Sequence, residues 1–189
     1  MLKKAIREVY LKKRLLIDDD QMNENTSRIL TNFSSLQLPE VKHLLSYYPI
    51  SERKEFNVSE AAEMVRNRFP EVKISWPRID ATNKTMEAVQ VRPDGLYSKN
   101  IYNILEPIHG DLVEPEEIDL VFVPLVTFDE KGFRIGYGKG FYDRYLVRCR
   151  PTILKIGFSF FDPVKSIRDI NHFDVPLSLC ITPSRIYEF

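Results

Sequence analysis

The chain has 189 residues, of which 43% are hydrophobic and 29% charged, and its 27 basic and 27 acidic residues leave a formal net charge of zero. That length suits one domain, the composition excludes a disordered or fibrous chain, and the balanced charge argues against a nucleic-acid binder, which carries a basic excess. No run of 18 apolar residues could span a membrane, and Met1-Leu2-Lys3-Lys4 opens a charged segment with no apolar signal core.

Leu2, Ala5, Ile6, Val9 and Tyr10 recur at the spacing of one helical face and predict a helix from Lys3 to about Ile17. Its other face carries Lys3, Lys4, Arg7, Lys12, Lys13 and Arg14. Asp18-Asp19-Asp20 offers N-cap chemistry for a second helix to about Phe33, and Pro39 ends the connection that follows. Val41 to Ile50 reads as a strand. Asn57 followed by Glu60 resembles a capping box for a helix that buries Ala61, Ala62, Met64, Val65 and Phe69 and stops at Pro70. Strands are expected at Val72 to Trp76 and Met86 to Val91, then a turn at Arg92-Pro93-Asp94-Gly95. The nearly continuous apolar run from Ile118 to Val126 suits a strand covered on both faces. Helical spacing returns from Gly138 to Arg148, and Thr152 to Phe158 and Leu177 to Thr182 are strand-like. Strands alternating with helices predict an α/β fold: one three-layer domain over residues 1–189, with a mostly parallel central sheet flanked by helices.

Cys149 and Cys180 fit neither a disulfide framework nor a zinc site, so both read as reduced thiols of a cytoplasmic protein, with Cys180 packed in an apolar run. His43, His109 and His172 lack metal-ligand spacing.

The chemistry concentrates between Asp119 and Leu146. A buried strand runs into the turn Phe128-Asp129-Glu130-Lys131-Gly132, and then comes Arg134-Ile135-Gly136-Tyr137-Gly138-Lys139-Gly140-Phe141-Tyr142-Asp143. Three glycines at alternate positions let the backbone approach a ligand closely, Lys139 adds positive charge, and the amides of a following helix would favour an anion. The spacing is neither that of a Walker A loop nor that of a dinucleotide fingerprint. As a bare pattern it fits a phosphate cradle or a tight turn with a solvated lysine.

Val123-Pro124, Phe128-Asp129, Gly132 and the run from Arg134 to Asp143 closely resemble the signature of the 5-formyltetrahydrofolate cyclo-ligase family. Lys3-Lys4-Ala5-Ile6-Arg7 with Arg14 is similar to that family's opening helix, Pro49-Ile50-Ser51 through Glu55 to its substrate-binding strand end, and Tyr102 to Pro107 to its aromatic-x-Ile-x-x-Pro stretch. The resemblance implies a monomeric enzyme that takes ATP, magnesium and a folate, and needs neither nucleic acid nor membrane. It would convert 5-formyltetrahydrofolate to 5,10-methenyltetrahydrofolate with release of ADP and phosphate, by phosphorylating the formyl oxygen and letting N10 attack. The alternatives are a non-catalytic folate- or nucleotide-binding relative, and a sugar-phosphate or thioester enzyme on a related scaffold.

The resemblance also implies roles. Lys139 and Arg134 are the expected catalytic residues. ATP would be held by Lys3, Lys4, Arg7, Arg134, Ile135, Gly136, Tyr137, Gly138, Lys139, Gly140, Phe141 and Tyr142. Folate would meet Ile50, Glu55, Tyr102, Tyr137 and Phe141, with the Glu55 carboxylate accepting the parallel donors of the pterin. Asp143 and Asp174 are the expected magnesium ligands, since hard carboxylate oxygens suit that ion. Asp174 belongs to a stretch in which the resemblance leads one to expect a second Asp four residues on; Ser178 stands there instead.

Overall fold

Alternation along the central strands sends neighbouring side chains to opposite faces of one sheet. Leu44, Leu120 and Phe122 pack on one side with Ile29, Phe33, Ala61 and Val65, while Leu45, Val121 and Val123 pack on the other with Phe141, Tyr145 and Leu146. Both faces are therefore covered, as the apolar run around residue 120 predicts. The structure is a computed structural model, and it describes residues 1–92 and 95–189. Pro93 and Asp94, the middle of the expected turn, lie outside the described residues.

Four α-helices occur among the described residues: α1 (Lys3–Leu15), α2 (Asp19–Ser34), α3 (Ser59–Arg68) and α4 (Phe141–Leu146). The strands are β1 (His43–Leu45), β2 (Lys73–Asp80), β3 (Thr85–Gln90), β4 (Tyr97–Lys99), β5 (Leu105–Pro107), β6 (Asp111–Val113), β7 (Leu120–Phe122), β8 (Thr127–Phe128), β9 (Arg134–Ile135), β10 (Leu154–Phe158), β11 (Leu179–Ile181) and β12 (Ile186–Glu188). The main sheet has the order β12-β11-β10-β7-β1-β2-β3-β6. Its middle, β11-β10-β7-β1-β2, is parallel, and β12 and β3 join the two ends antiparallel. Helices α2 and α3 cover one face and α4 the other, which gives the expected α/β architecture.

Helix α2 begins as the sequence predicts, with the Asp18 carboxylate accepting the Gln21 amide at 2.8 Å. Helix α3 does not use the expected capping box. Its N-cap is Val58, and Asn57 instead accepts the Ser59 amide at 3.0 Å in a local turn. Strands β1 and β7 are shorter than expected. The ladder ends soon after Leu45 and Phe122, with Ser46 N donating to Ser75 and Val123 N to Ile156, and beyond it the chain stays apolar: Tyr47, Leu125 and Val126 are buried, Val126 against Ile6 of α1 and Ile135 of β9. Strand β2 is longer than expected and forms an arm with β3 beyond the last β1 pairing at Leu45–Ser75. Pro77 sits on that arm, where the β1 side of the ladder has already ended. Helix α4 starts at Phe141, later than Gly138, since Gly138 and Gly140 both have positive φ. Cys149 and Cys180 are buried and unpaired, and burial pushes the Cys149 thiol up to about 11. Among the described residues no helix is long and apolar enough to cross a membrane.

Candidate active site

The C-terminal ends of β1, β7 and β2 open into a cavity of about 400 Å³, the position at which open α/β sheets bind ligands. Helix α1 closes one side: Ile6 packs with Val126 and Ile135, so the helix is laid across the β8–β9 hairpin. That packing turns Lys3 and Arg7, four residues apart, into the cavity. Lys4 is rotated off this stripe, is exposed and does not line the cavity, contrary to its expected part in ATP binding.

The glycine loop forms the facing rim. Arg7 Nε donates to the Gly136 carbonyl at 2.6 Å, which ties α1 to the loop. Gly138 has φ +84°, and a Cβ there would stand 3.2 Å from the Arg7 guanidinium carbon. Only glycine gives both that backbone and that approach. Lys139 is exposed at the loop tip, its Nζ 5.3 Å from the centre of the Tyr102 ring. Helix α4 is only six residues long, so the positive potential of this rim comes chiefly from side chains, not from the helix dipole that the sequence suggested.

Two of the expected charges are already paired. Arg134, with a side chain 5% exposed, donates to the Val175 carbonyl at 2.7 Å and stands 3.1 Å from Asp143 Oδ1. Lys3 Nζ reaches both oxygens of Asp174 at 2.5 Å, and Asp174 Oδ2 also accepts the Asn171 amide. The Asp174 carboxylate is thus spent on Lys3 and its own loop, which does not suit the expected metal ligand. Asp143 accepts Arg134 and the Val175 amide through Oδ1 and keeps Oδ2 without a hydrogen bond from the described residues. No group of three His, Cys, Asp or Glu among the described residues could hold a metal ion. The open Asp143 Oδ2 is one hard oxygen, which suits only an ion that takes a single carboxylate and fills the rest of its shell from elsewhere. Ser178 lies off the cavity, its hydroxyl accepting the Lys155 amide at 3.1 Å.

The other end of the cavity is acidic and aromatic. Glu55 is 8% exposed; Oε2 accepts the Ile50 amide at 2.9 Å and Oε1 the Tyr137 hydroxyl at 2.7 Å. Burial raises its pKa, and these hydrogen bonds with Arg14 and Arg53 oppose the shift. Tyr137 is raised as well, by burial and by the neighbouring Glu55. Ile50, Tyr102, Ile135, Phe141 and Tyr142 complete the expected residues on the cavity wall.

Three residues there were not singled out for a role in the site. Arg14, placed on the polar face of α1, is only 3% exposed. Its guanidinium donates to the Arg53 and Leu125 carbonyls at 2.7 and 3.1 Å and to the Tyr137 hydroxyl at 2.7 Å, so it anchors the Tyr137–Glu55 pair. The spacing Lys3, Arg7, Arg14 is the signal that could have found it, since those positions share one stripe. Arg53 stands over the Tyr137 ring at 4.8 Å. Glu106, from β5, which pairs with β4 in a small separate sheet, also lines the cavity.

Known proteins resemble this chain over nearly its whole length. The model of the 5-formyltetrahydrofolate cyclo-ligase family matches residues 1–182. The 5-formyltetrahydrofolate cyclo-ligase of Mycoplasma genitalium is 26% identical over 181 residues, 94% of this chain and 97% of its own. The NMR structure of Aquifex aeolicus 5,10-methenyltetrahydrofolate synthetase superposes with a TM-score of 0.78 at 28% identity, covering 100% of this chain and 93% of that one. The synthetase of Mycoplasma pneumoniae shares the fold, with a TM-score of 0.73 at 23% identity over 97% and 99% of the two chains.

Proposed function

This chain belongs to the 5-formyltetrahydrofolate cyclo-ligase family, and we propose that it converts 5-formyltetrahydrofolate to 5,10-methenyltetrahydrofolate at the expense of ATP, with magnesium, releasing ADP and phosphate. The observation that carries the reading is one cavity with two chemically opposite ends: Lys3, Arg7 and Lys139 around a glycine loop, and the buried Glu55 among aromatic rings.

A formamide oxygen is a poor leaving group. In the proposed reaction it attacks the terminal phosphorus of ATP, and the bond from that phosphorus to the ADP oxygen breaks. The amine N10 then attacks the activated formyl carbon and loses its proton, and the carbon–oxygen bond breaks to release phosphate. Lys139 and Arg7 neutralise the transferred group, while the loop amides fix its orientation. Glu55 accepts N–H donors of the pterin, held in place by Ile50, Tyr137 and Arg14. Asp143, through its free Oδ2, would hold magnesium, which supplies charge neutralisation to the phosphates when bound.

The test is the absorbance of the methenyl product. It should rise only when 5-formyltetrahydrofolate, ATP and magnesium are all present. Folate binding without any rise would favour a non-catalytic binding relative.

A further inference from the structure

The middle of the glycine loop has little support of its own. Gly138 and Gly140, with φ of +84° and +69°, flank Lys139, so the residue that carries the ammonium sits between two freely turning links of the chain. Among the described residues the backbone of Gly138 and Lys139 makes no hydrogen bond to another backbone group. The Lys139 carbonyl is held by a side chain instead. Arg144 of α4 donates through Nη2 to that carbonyl at 2.9 Å, and through Nε to the Lys84 carbonyl at 2.8 Å. Lys84 ends the turn between β2 and β3, at the tip of the arm. The guanidinium lies against the bare face of Gly140, where a Cβ would stand 2.8 Å from Nη1. It also stands over the Phe141 ring at 5.4 Å, and Phe141 meets Tyr102 edge to face at 6.1 Å. Tyr102 is the ring over which Lys139 Nζ rests.

Resting on the cyclo-ligase reading, we infer that Arg144 is a positioning residue for phosphoryl transfer: its guanidinium braces the Lys139 carbonyl against the arm tip and so fixes where the Lys139 ammonium stands. A planar fork suits this task, because one rigid group reaches two carbonyls at once, which a lysine does not do. The brace links the loop to the arm whose Pro77 and Ile79 line the cavity, so both walls move as one. Arg144 is exposed and does not itself line the cavity. Its effect on turnover therefore runs through Lys139, since a small displacement of a group that neutralises transferred charge is enough to slow the reaction.

Methenyl absorbance kinetics on a double-mutant cycle test this. Arg144→Ala should lower kcat about 10- to 100-fold, with the KM for folate and the melting temperature unchanged. In a Lys139→Ala background the same change should lower kcat less than about twofold, because the group it positions is gone. Arg144→Lys restores the charge but not the fork, and should stay as impaired as Arg144→Ala. Additive losses in the cycle, full activity in Arg144→Ala, or rescue by Arg144→Lys would overturn the inference and leave the cyclo-ligase reading standing. Should Arg144→Ala melt early, Arg144→Lys decides, since its stem still covers Phe141: normal melting with impaired turnover supports the inference, and early melting in both overturns it. No methenyl product from the wild-type protein would overturn both the inference and the reading.

Discussion

The two ends of the cavity handle charge in opposite ways. At the glycine-loop end the cations are partly solvated or paired at the rim: Lys139 is exposed, and Lys3 rests on Asp174. Such charges cost little to maintain and can be redirected to an arriving phosphate. At the other end Glu55 and Glu106 are buried, and desolvation raises both. There the charge is expensive until donors surround it, so that end is built rigidly, by backbone amides and by Arg14. The lesson is that both ends are assembled from distant segments, but the carboxylate end must also be shielded and supplied with donors, and its groups come from five: Arg14, Ile50 to Glu55, Ile79, Asn100 to Glu106 and Tyr137.

Arg14 joins the two ends, and its removal should have the largest effect. Arg14→Ala removes the guanidinium bonded to the Tyr137 hydroxyl, leaves Arg53 as the cation near Glu55, and leaves the Arg53 and Leu125 carbonyls unpaired. A loss of about 3–5 kcal/mol in urea unfolding is expected; less than about 1 kcal/mol would mean that the carboxylate end does not depend on it. Next in size, Lys139→Ala should leave the melting temperature unchanged and lower turnover by about 10²–10³-fold. Full activity would remove the loop from the chemistry. Gly138→Ala should be milder. A methyl group at φ +84° is strained by about 1–2 kcal/mol, and it presses on Arg7, so the KM for ATP should rise while that for folate holds. Equal rises in both would show that the two ends are not independent.

The smallest effect is a pH dependence. The folded pKa of Glu55 lies above its unfolded value, so the native state binds that proton more tightly than the unfolded chain does. Ionisation therefore costs native stability, with no cost below the unfolded value of about 4.3 and the full cost above the raised native one. Glu55→Gln should gain stability relative to wild type as pH rises across that window and gain none at its acid side. Thermal melts from pH 4 to 8 would show it, and a difference independent of pH would contradict the assigned cause.

Several features of this molecule are legible because they are local. The Asp18 cap, the alternation of strand and helix, the Asp129 to Gly132 turn and the glycine loop each depend on residues within a few positions of one another. Strands β4, β5, β6 and β12 were not legible. Each has three residues, and β4 is exposed along its length, so there is no buried face for alternation to reveal. The ends of β1 and β7 were overextended for a related reason. An apolar side chain reads the same whether a strand, a loop or a cavity wall covers it.

By itself the amino-acid order determined the α/β class and the shape of the glycine loop, because periodicity and glycine conformations act over short range. Only the tertiary structure decided that Arg14 is buried while Lys4 is solvated, that Asp174 belongs to Lys3, and that Glu106 shares a cavity with Glu55. Those outcomes turn on which stripe of α1 packs against the β8–β9 hairpin and on where the β2–β3 arm leads the chain. Burial, and with it the energy of every charge, is a property of through-space neighbours that no short stretch of sequence contains.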